Sequence, residues 1–314
     1  MYKLGIIGAG EICSAYVKAL RNIQGIELKA IADIDYEKLQ RYRHVQGLVT
    51  CQPDEIFEQE MNGVLIATPN SYHAGYVLKA LSEGLDAICE KPLAISLDDV
   101  KTLTGLTKRS MLYMALHCRF RPECQYALNN LKGQVEVFRQ YYCENWLNAP
   151  QWYFNPVISG GGVLLDVGIN QIDWMIQLLE QPLLKTALIK KHHYAVDVEA
   201  DLTWEHSKGK GKTILGWNTQ EEKKQTYIKT TSQDEYILDH IKHTVHKNEK
   251  LIFMEECREY EGVLLDFLEK RRTGRTEFEK RIIELFSILG KAYELNNEDF
   301  LSSKYNSLNK NEGV

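Results

Sequence analysis

A chain of 314 residues, 44% apolar and 26% charged, is long enough to build two packed cores, so two domains are the default expectation. Its formal net charge of -5, with acidic and basic residues mixed along the chain, offers no basic stripe to a nucleic acid, and no apolar run is long enough to span a bilayer. Seven cysteines, odd in number and scattered without a CxxC pair, argue for free buried thiols rather than a structural zinc site, and the first apolar stretch, LGIIGAG, is too short and glycine-rich for a signal peptide. The expected compartment is the cytoplasm.

In chain order, YKLGII reads as a buried strand, GAG as a turn, the residues up to Leu20 as an amphipathic helix and IELKAIAD as a second strand. Strands at GVLIATP and DAICEKP, separated by helices at DEIFEQ and HAGYVLKALSEG, continue the alternation that a parallel sheet requires. The pattern covers residues 1–116. From 117 to 300 the runs QVEVFRQYYCEN, LLKTALIKKHHYAVDVEADLTWEH and KTILGWNT predict longer strands of an open, mostly antiparallel sheet in an α+β domain. Helical periodicity returns in EECREYEGVLLDFLEKRR and EFEKRIIELFSILGKAYEL, and the polar end, 301–314, has none and is expected to be a mobile tail.

GAGEIC at 8–13 matches GxGxxG in its first two glycines only, with Cys13 where the third would stand. Its context strengthens it, because it follows a predicted strand and opens a predicted helix. Gly8 suits the tight turn, Gly10 lets the backbone approach a pyrophosphate, and the N–H groups of Glu11 and Ile12 at the helix start offer it positive dipole. Cys13 is small enough to preserve helix-to-strand packing. Asp33, about 25 residues after Gly8, ends the second strand, where a carboxylate accepts from a ribose 2′-OH and repels a 2′-phosphate. No Lys or Arg adjoins Asp33, so NAD is favoured over NADP in a Rossmann dinucleotide-binding domain.

EKP at 90–92 ends a core strand with a charged pair and a proline that restrains Lys91 to extended backbone, at the carboxyl edge of the sheet where such folds bind ligands. Further on, three glycines precede LLDVGINQID at 164–173, which spaces Asp166, Asn170 and Asp173 along one face if the segment is α-helical. A helix cap with a solvated stripe is the plainer account of those three. The pair His192 and His193 is not expected to chelate a metal, because adjacent strand residues point to opposite faces.

The glycine turn, ATPNSYH at 67–73, EKP at 90–92 and GGGVLLDVGINQID at 160–173 together resemble the Gfo/Idh/MocA oxidoreductases, from the first residue to about residue 300. The resemblance implies a Rossmann domain followed by a domain whose open sheet makes a homo-oligomer contact, in a dimer or tetramer. It implies that Thr68, Pro69, Asn70, His73 and Glu90 lie with Lys91 along the cofactor, and that Lys91 and Asp166 contact a reacting sugar hydroxyl. Asn170 stands where most members carry histidine, and an amide cannot take up a proton near neutral pH. The family's L-arabinose or D-galactose 1-dehydrogenases resemble this chain in Asp-x-Gly-Ile-Asn, in a His-x-Arg element matched by His117 and Arg119, and in a Glu and Trp similar to Glu144 and Trp152.

These resemblances imply an NAD-dependent dehydrogenase that takes hydride from a sugar carbinol, C1 of an aldose giving an aldonolactone. Lys91, Asp166 and Asn170 would act on the hydroxyl, with Lys91 or Asp166 accepting its proton, and His117, Arg119, Glu144, Trp152 and Asp173 would line the substrate. Two alternatives stand beside it: oxidation at another carbon of a sugar, cyclitol or sugar nucleotide, and a non-catalytic NAD-binding regulator that kept the fold.

Overall fold

Strands β1 (Tyr2–Ile7), β2 (Ile26–Ala32), β3 (Val49–Cys51), β4 (Gly63–Ile66), β5 (Asp86–Glu90) and β6 (Leu112–Ala115) form one sheet in the order β3-β2-β1-β4-β5-β6, with every pairing parallel. Leu4, Ile6, Ile7, Val64, Leu65, Ile66, Ala87 and Ile88 are all solvent-free, as expected of central strands covered on both faces. The order reverses between β1 and β4, the switch point beyond whose carboxyl ends such sheets bind ligands. The computed structural model describes residues 1–106, 110–146, 149–191, 195–274 and 277–296. His192, His193 and the expected tail at 301–314 lie outside the described residues.

The second sheet contains β7 (Val135–Asn145), β8 (Leu183–Lys190), β9 (Glu199–His206), β10 (Gly209–Gly216), β11 (Asn218–Thr230), β12 (Glu235–Asp239), β13 (Thr244–Lys247) and β14 (Lys250–Met254). Its order is β14-β13-β12-β11-β7-β10-β9-β8, antiparallel except where β10 runs parallel to β7. The long run predicted from 183 to 206 is two strands, not one, and the meander from β11 to β14 went unpredicted because its short strands are rich in Lys, Glu and Thr. The helix predicted at DEIFEQ, 54–59, is a single 3₁₀ turn, Glu55–Glu58.

Among the described residues the chain divides into two compact units, Met1–Ala115 with Tyr260–Ile283, and Leu116–Glu259 with residues 284–296. An unbroken second domain from 117 to 300 therefore does not describe the chain, which returns to the first unit after β14. The reason is aromatic packing: Phe267, on helix Glu259–Thr273, meets the rings of Tyr2 and Tyr113 edge-on at 5.4 and 5.8 Å. Polar bonds reinforce it, Tyr113 donating to Asp266 at 2.7 Å and Arg271 to Asp86 at 2.6 Å.

A buried cluster ties the second unit's helix Pro122–Asn130 to its sheet. Glu123 accepts from His240 at 2.8 Å and from His243 at 3.0 Å, and Thr226 on β11 donates to the other nitrogen of His240 at 2.9 Å. Burial by itself would raise the Glu123 pKa, but the two histidine donors prevail and bring it from 4.5 to about 2. A folded-state pKa below the unfolded one means stability that is complete above about pH 4.5 and is lost as pH falls toward 2. Acid melting should therefore remove on the order of 2–3 kcal/mol through this carboxylate. Melting temperatures measured between those pH values should show the slope, and Glu123→Gln should flatten it; an equal slope in the variant would place the acid lability elsewhere.

Candidate active site

In the first unit, Gly8 holds φ +101° between β1 and helix Glu11–Leu20, and a Cβ there would lie 2.4 Å from the Ala67 carbonyl oxygen. Only glycine fits that turn. At Gly10, by contrast, an added Cβ would meet nothing within 4 Å, so the backbone at the helix start borders open space. No side chain caps this helix, and in its first turn Glu11 and Ile12 are exposed residues. Cys13 is buried in the third-glycine position, and burial pushes its thiol up to about 11, which makes it inert packing.

Asp33 is buried at the end of β2 and aims back at the turn: one carboxylate oxygen accepts from the Ala9 N–H at 2.6 Å and the other from the Asp35 N–H at 2.8 Å. A carboxylate has about four acceptor sites, so both oxygens retain capacity for a diol. Thr68 follows β4 beside the turn, and its hydroxyl is buried with no partner among the described residues. Open space at Gly10, uncapped N–H groups, a fixed carboxylate and an orphan hydroxyl fit a dinucleotide.

The loops after β4 and β5 are joined by His73, whose ring nitrogens stand 2.8 Å from the Thr68 carbonyl oxygen and 2.7 Å from that of Pro92. Both nitrogens thus face backbone carbonyls, and burial pushes the ring's pKa down, so its single N–H donates to one of the two. Glu90 accepts from the buried Tyr16 hydroxyl at 2.7 Å and from the Lys91 N–H at 3.2 Å. Residues expected along the cofactor, His73 and Glu90, are therefore engaged in shaping the loop that carries Lys91. Pro69 precedes helix Asn70–Ser82, whose first residue, Asn70, is buried.

In the second unit, the segment predicted as one α-helix is not uniform. Leu164–Gly168 winds as a π-helical turn containing Asp166, and the α-helix proper is Ile169–Leu178. The wider turn displaces Asp166 from the α-helical register of Asn170 and Asp173, so the expected single face is interrupted. Asn170 and Asp173, one turn apart, both meet the 3₁₀ turn His117–Phe120: the Asn170 amide nitrogen is 2.9 Å from His117 Nε2, and Asp173 takes Arg119 Nε at 2.7 Å with Nη2 closing the fork at 2.5 Å. Asp173 has no exposed surface, and the bidentate pair spends its oxygens on Arg119. Arg119 and Asp173, both expected on substrate, here pair with each other.

The GGG loop is held by Asp197, whose carboxylate accepts from the N–H groups of Gly162 at 3.0 Å and Leu164 at 2.8 Å and from the Tyr293 hydroxyl at 2.6 Å. On β7, Glu144 accepts from Trp146 Nε1 at 2.6 Å and pairs with Lys224 at 2.6 Å. Trp152 stacks on Tyr153 at 3.8 Å, and Trp146 stacks on Trp217 at 4.6 Å, a wall of aromatic faces near Glu144.

His117 also pairs through Nδ1 with Glu259 Oε2 at 3.0 Å, an oxygen that Arg121 Nε reaches at 2.6 Å. Burial opposes charge on His117, but the Glu259 carboxylate outweighs it and lifts the ring to about 10. Glu259 and Arg121 escaped the sequence reading; Glu259 lies 138 residues from Arg121, and no spacing rule connects them. His117, Cys118 and Glu259 form one His/Cys/carboxylate grouping and Glu123, Cys124 and His240 another. In both, the imidazole and carboxylate stand at hydrogen-bond distance, 3.0 and 2.8 Å, closer than about 3.3 Å, the separation two ligands keep on a tetrahedral zinc with bonds near 2.0–2.2 Å. Hydrogen bonding accounts for both.

Family comparison decides the broader identity. Residues 2–116 match the Gfo/Idh/MocA oxidoreductase model with its NAD-binding Rossmann fold, and residues 129–232 match the Gfo/Idh/MocA C-terminal domain. The chain belongs to the Gfo/Idh/MocA family. A rhizopine catabolism protein, MocA, of Rhizobium meliloti is 28% identical over 188 residues, covering 57% of this chain and 58% of that protein. Glucose-6-phosphate 3-dehydrogenase of Bacillus subtilis (strain 168) is 26% identical over 212 residues, covering 64% of this chain and 60% of the relative. The matches thus span about three-fifths of the length of these curated Gfo/Idh/MocA relatives. Among solved structures, the D-galactose-1-dehydrogenase of Rhizobium etli superposes with a TM-score of 0.78 at 19% identity, covering 96% of this chain and 97% of that one, which is a likeness of fold. The first unit thus has the NAD-binding Rossmann fold of an oxidoreductase family, and no helix among the described residues is long and apolar enough to cross a membrane.

Proposed function

We propose that the protein is an NAD-dependent dehydrogenase acting on a free sugar, with C1 of an aldose as the oxidised carbon and an aldonolactone as product. The observation that supports this reading is the Asn170–His117 contact, which holds the amide in a buried polar cluster. Bound NAD supplies the hydride acceptor. Lys91, Asp166 and Asn170 are assigned to the reacting hydroxyl: Lys91 and Asn170 orient it, and Asp166 or Lys91 takes its proton as C1–H departs with its electron pair. Oxidation at C1 suits an amide in place of a base, because the ring oxygen stabilises the electron-poor carbon. Glu144 and the aromatic faces of Trp152 and Trp146 are assigned to the sugar ring, and Arg119 with Asp173 to bracing the helix that carries Asn170.

A second reading, oxidation at C3, is favoured by the name of the glucose-6-phosphate 3-dehydrogenase relative. The test is NADH formation by the purified protein with a panel of aldoses, glycosides and sugar phosphates, followed by product analysis. A lactone supports C1, a 3-keto sugar replaces it with the second reading, and binding of NAD without turnover of any sugar would leave a regulatory role.

NAD rather than NADP is assigned on Asp33, since its carboxylate would repel a 2′-phosphate. Asp33→Ala should reduce the preference for NAD over NADP in kcat/KM by at least about tenfold, the discrimination available to one charged contact. An unchanged ratio would show that another group reads the ribose. Homo-oligomerisation is assigned to the second sheet, where Leu183, Leu188, Leu251, Ile252 and Met254 are exposed. Seven free thiols suit a reducing cytoplasm.

A further inference from the structure

Asn170 offers its substrate either a carbonyl oxygen or an amide N–H2, and the chemistry of sugar binding differs between the two. In one orientation the amide nitrogen faces His117 Nε2 at 2.9 Å, and the amide oxygen is buried with no partner among the described residues. A half-turn of the amide exchanges the two atoms. The first orientation requires a neutral ring whose Nε2 accepts. A charged ring donates from both nitrogens, so Nε2–H would need the amide oxygen opposite it, and the N–H2 group would then occupy the unpartnered position.

The groups around the ring favour the second arrangement. Glu259 faces Nδ1 at 3.0 Å, His117 and Glu259 are only 13% and 14% exposed, and Cys118 Sγ lies 3.9 Å from Nδ1. Arg121 shares Oε2 with the ring and also donates to the Tyr142 hydroxyl at 2.8 Å, so the carboxylate is held in place beside Nδ1. With water excluded, a carboxylate at that distance strongly favours imidazolium over imidazole.

We propose that Glu259 is a positioning residue: acting through His117, it turns the Asn170 amide so that the N–H2 group, a donor, faces the sugar. The proposal rests on the dehydrogenase reading for its substrate but not for its geometry. A donor at that position binds a sugar oxygen through its lone pairs and leaves the hydroxyl's own proton free for Asp166 or Lys91. A carbonyl there would compete for that proton.

The direct test needs no substrate. Histidine side-chain 15N resonances of the intact protein, assigned to His117 by comparison with His117→Gln, report charge and tautomer across pH. His117 should remain doubly protonated through neutral pH and titrate near 10. In Glu259→Gln, which keeps the shape and removes the charge, its titration should fall into the ordinary histidine range near 6.5. A wild-type ring that is neutral at pH 7 and protonated on Nδ1 alone would overturn the proposal whatever the variant does. With an identified substrate, Glu259→Gln should lower kcat roughly tenfold above its new His117 pKa, the loss of one charge-assisted hydrogen bond, with KM for NAD unchanged. Activity that is restored on acidification supports a positioning role; a pH-independent loss would mark Glu259 as merely structural. Absence of sugar turnover by the wild type would defeat the dehydrogenase reading while leaving the resonance result to stand or fall alone.

Discussion

Lys91→Ala is expected to reduce sugar oxidation by about a thousandfold or more while dinucleotide binding changes far less, since losing a positioned proton-handling or charge-stabilising group typically costs 10²–10⁴ in rate. Its place supports this: Lys91 follows β5 directly, half-buried, on a loop shaped by Glu90 beneath it and by His73 holding the Pro92 carbonyl. A loop fixed on both sides of Lys91 narrows the region its side chain can reach, and precise placement is where much catalytic benefit arises. Steady-state kinetics with the substrate found in the panel, paired with calorimetry for NAD, separates rate from binding. Retention of more than about a tenth of wild-type kcat would remove Lys91 from the reacting centre, because that loss is smaller than any general acid or base role implies.

Gly162→Ala is expected to destabilise the protein by about 3 kcal/mol or more, lowering its melting temperature by roughly 10 °C. A Cβ at Gly162 would stand 1.7 Å from the Asp197 carbonyl oxygen and 2.7 Å from its nitrogen, so it displaces backbone rather than a pliable side chain. Asp197 also accepts three hydrogen bonds from this loop, its carboxylate from the N–H groups of Gly162 and Leu164 and its carbonyl from that of Val163 at 2.9 Å. Pushing these two loop segments apart therefore breaks the clamp ahead of the π-helical turn that carries Asp166, and activity should fall with stability. Gly10→Ala is the contrasting control: its Cβ enters open space at φ -75°, so melting should be unchanged while NAD binding weakens. Equal melting temperatures for Gly162→Ala and wild type would mean that the loop yields without cost.

The sequence by itself determined the architecture and the kind of chemistry. Continuous apolar runs separated by helical periodicity specify a covered parallel sheet, and GxG between strand and helix with Asp33 beyond it specifies a dinucleotide turn, because both are local consequences of backbone geometry. EKP and the GGG segment were legible for the same reason, as short motifs whose residues are contiguous. What each polar residue does was decided only by the tertiary structure. Arg119 and Asp173 looked like substrate contacts until the fold joined them across 54 residues into a buried pair. Glu259 carried no signal at all, and only the fold brings it to His117. The return of Tyr260–Ile283 to the first unit was likewise invisible, since periodicity says that a helix has an apolar face but not which sheet covers it. Even within one helix, the π-helical turn at Leu164–Gly168 broke the even spacing that Asp166, Asn170 and Asp173 promised. Local pattern fixes which elements form and which face is apolar; hydrogen-bond partners separated by scores of residues are chosen by packing, and packing is a property of the whole chain.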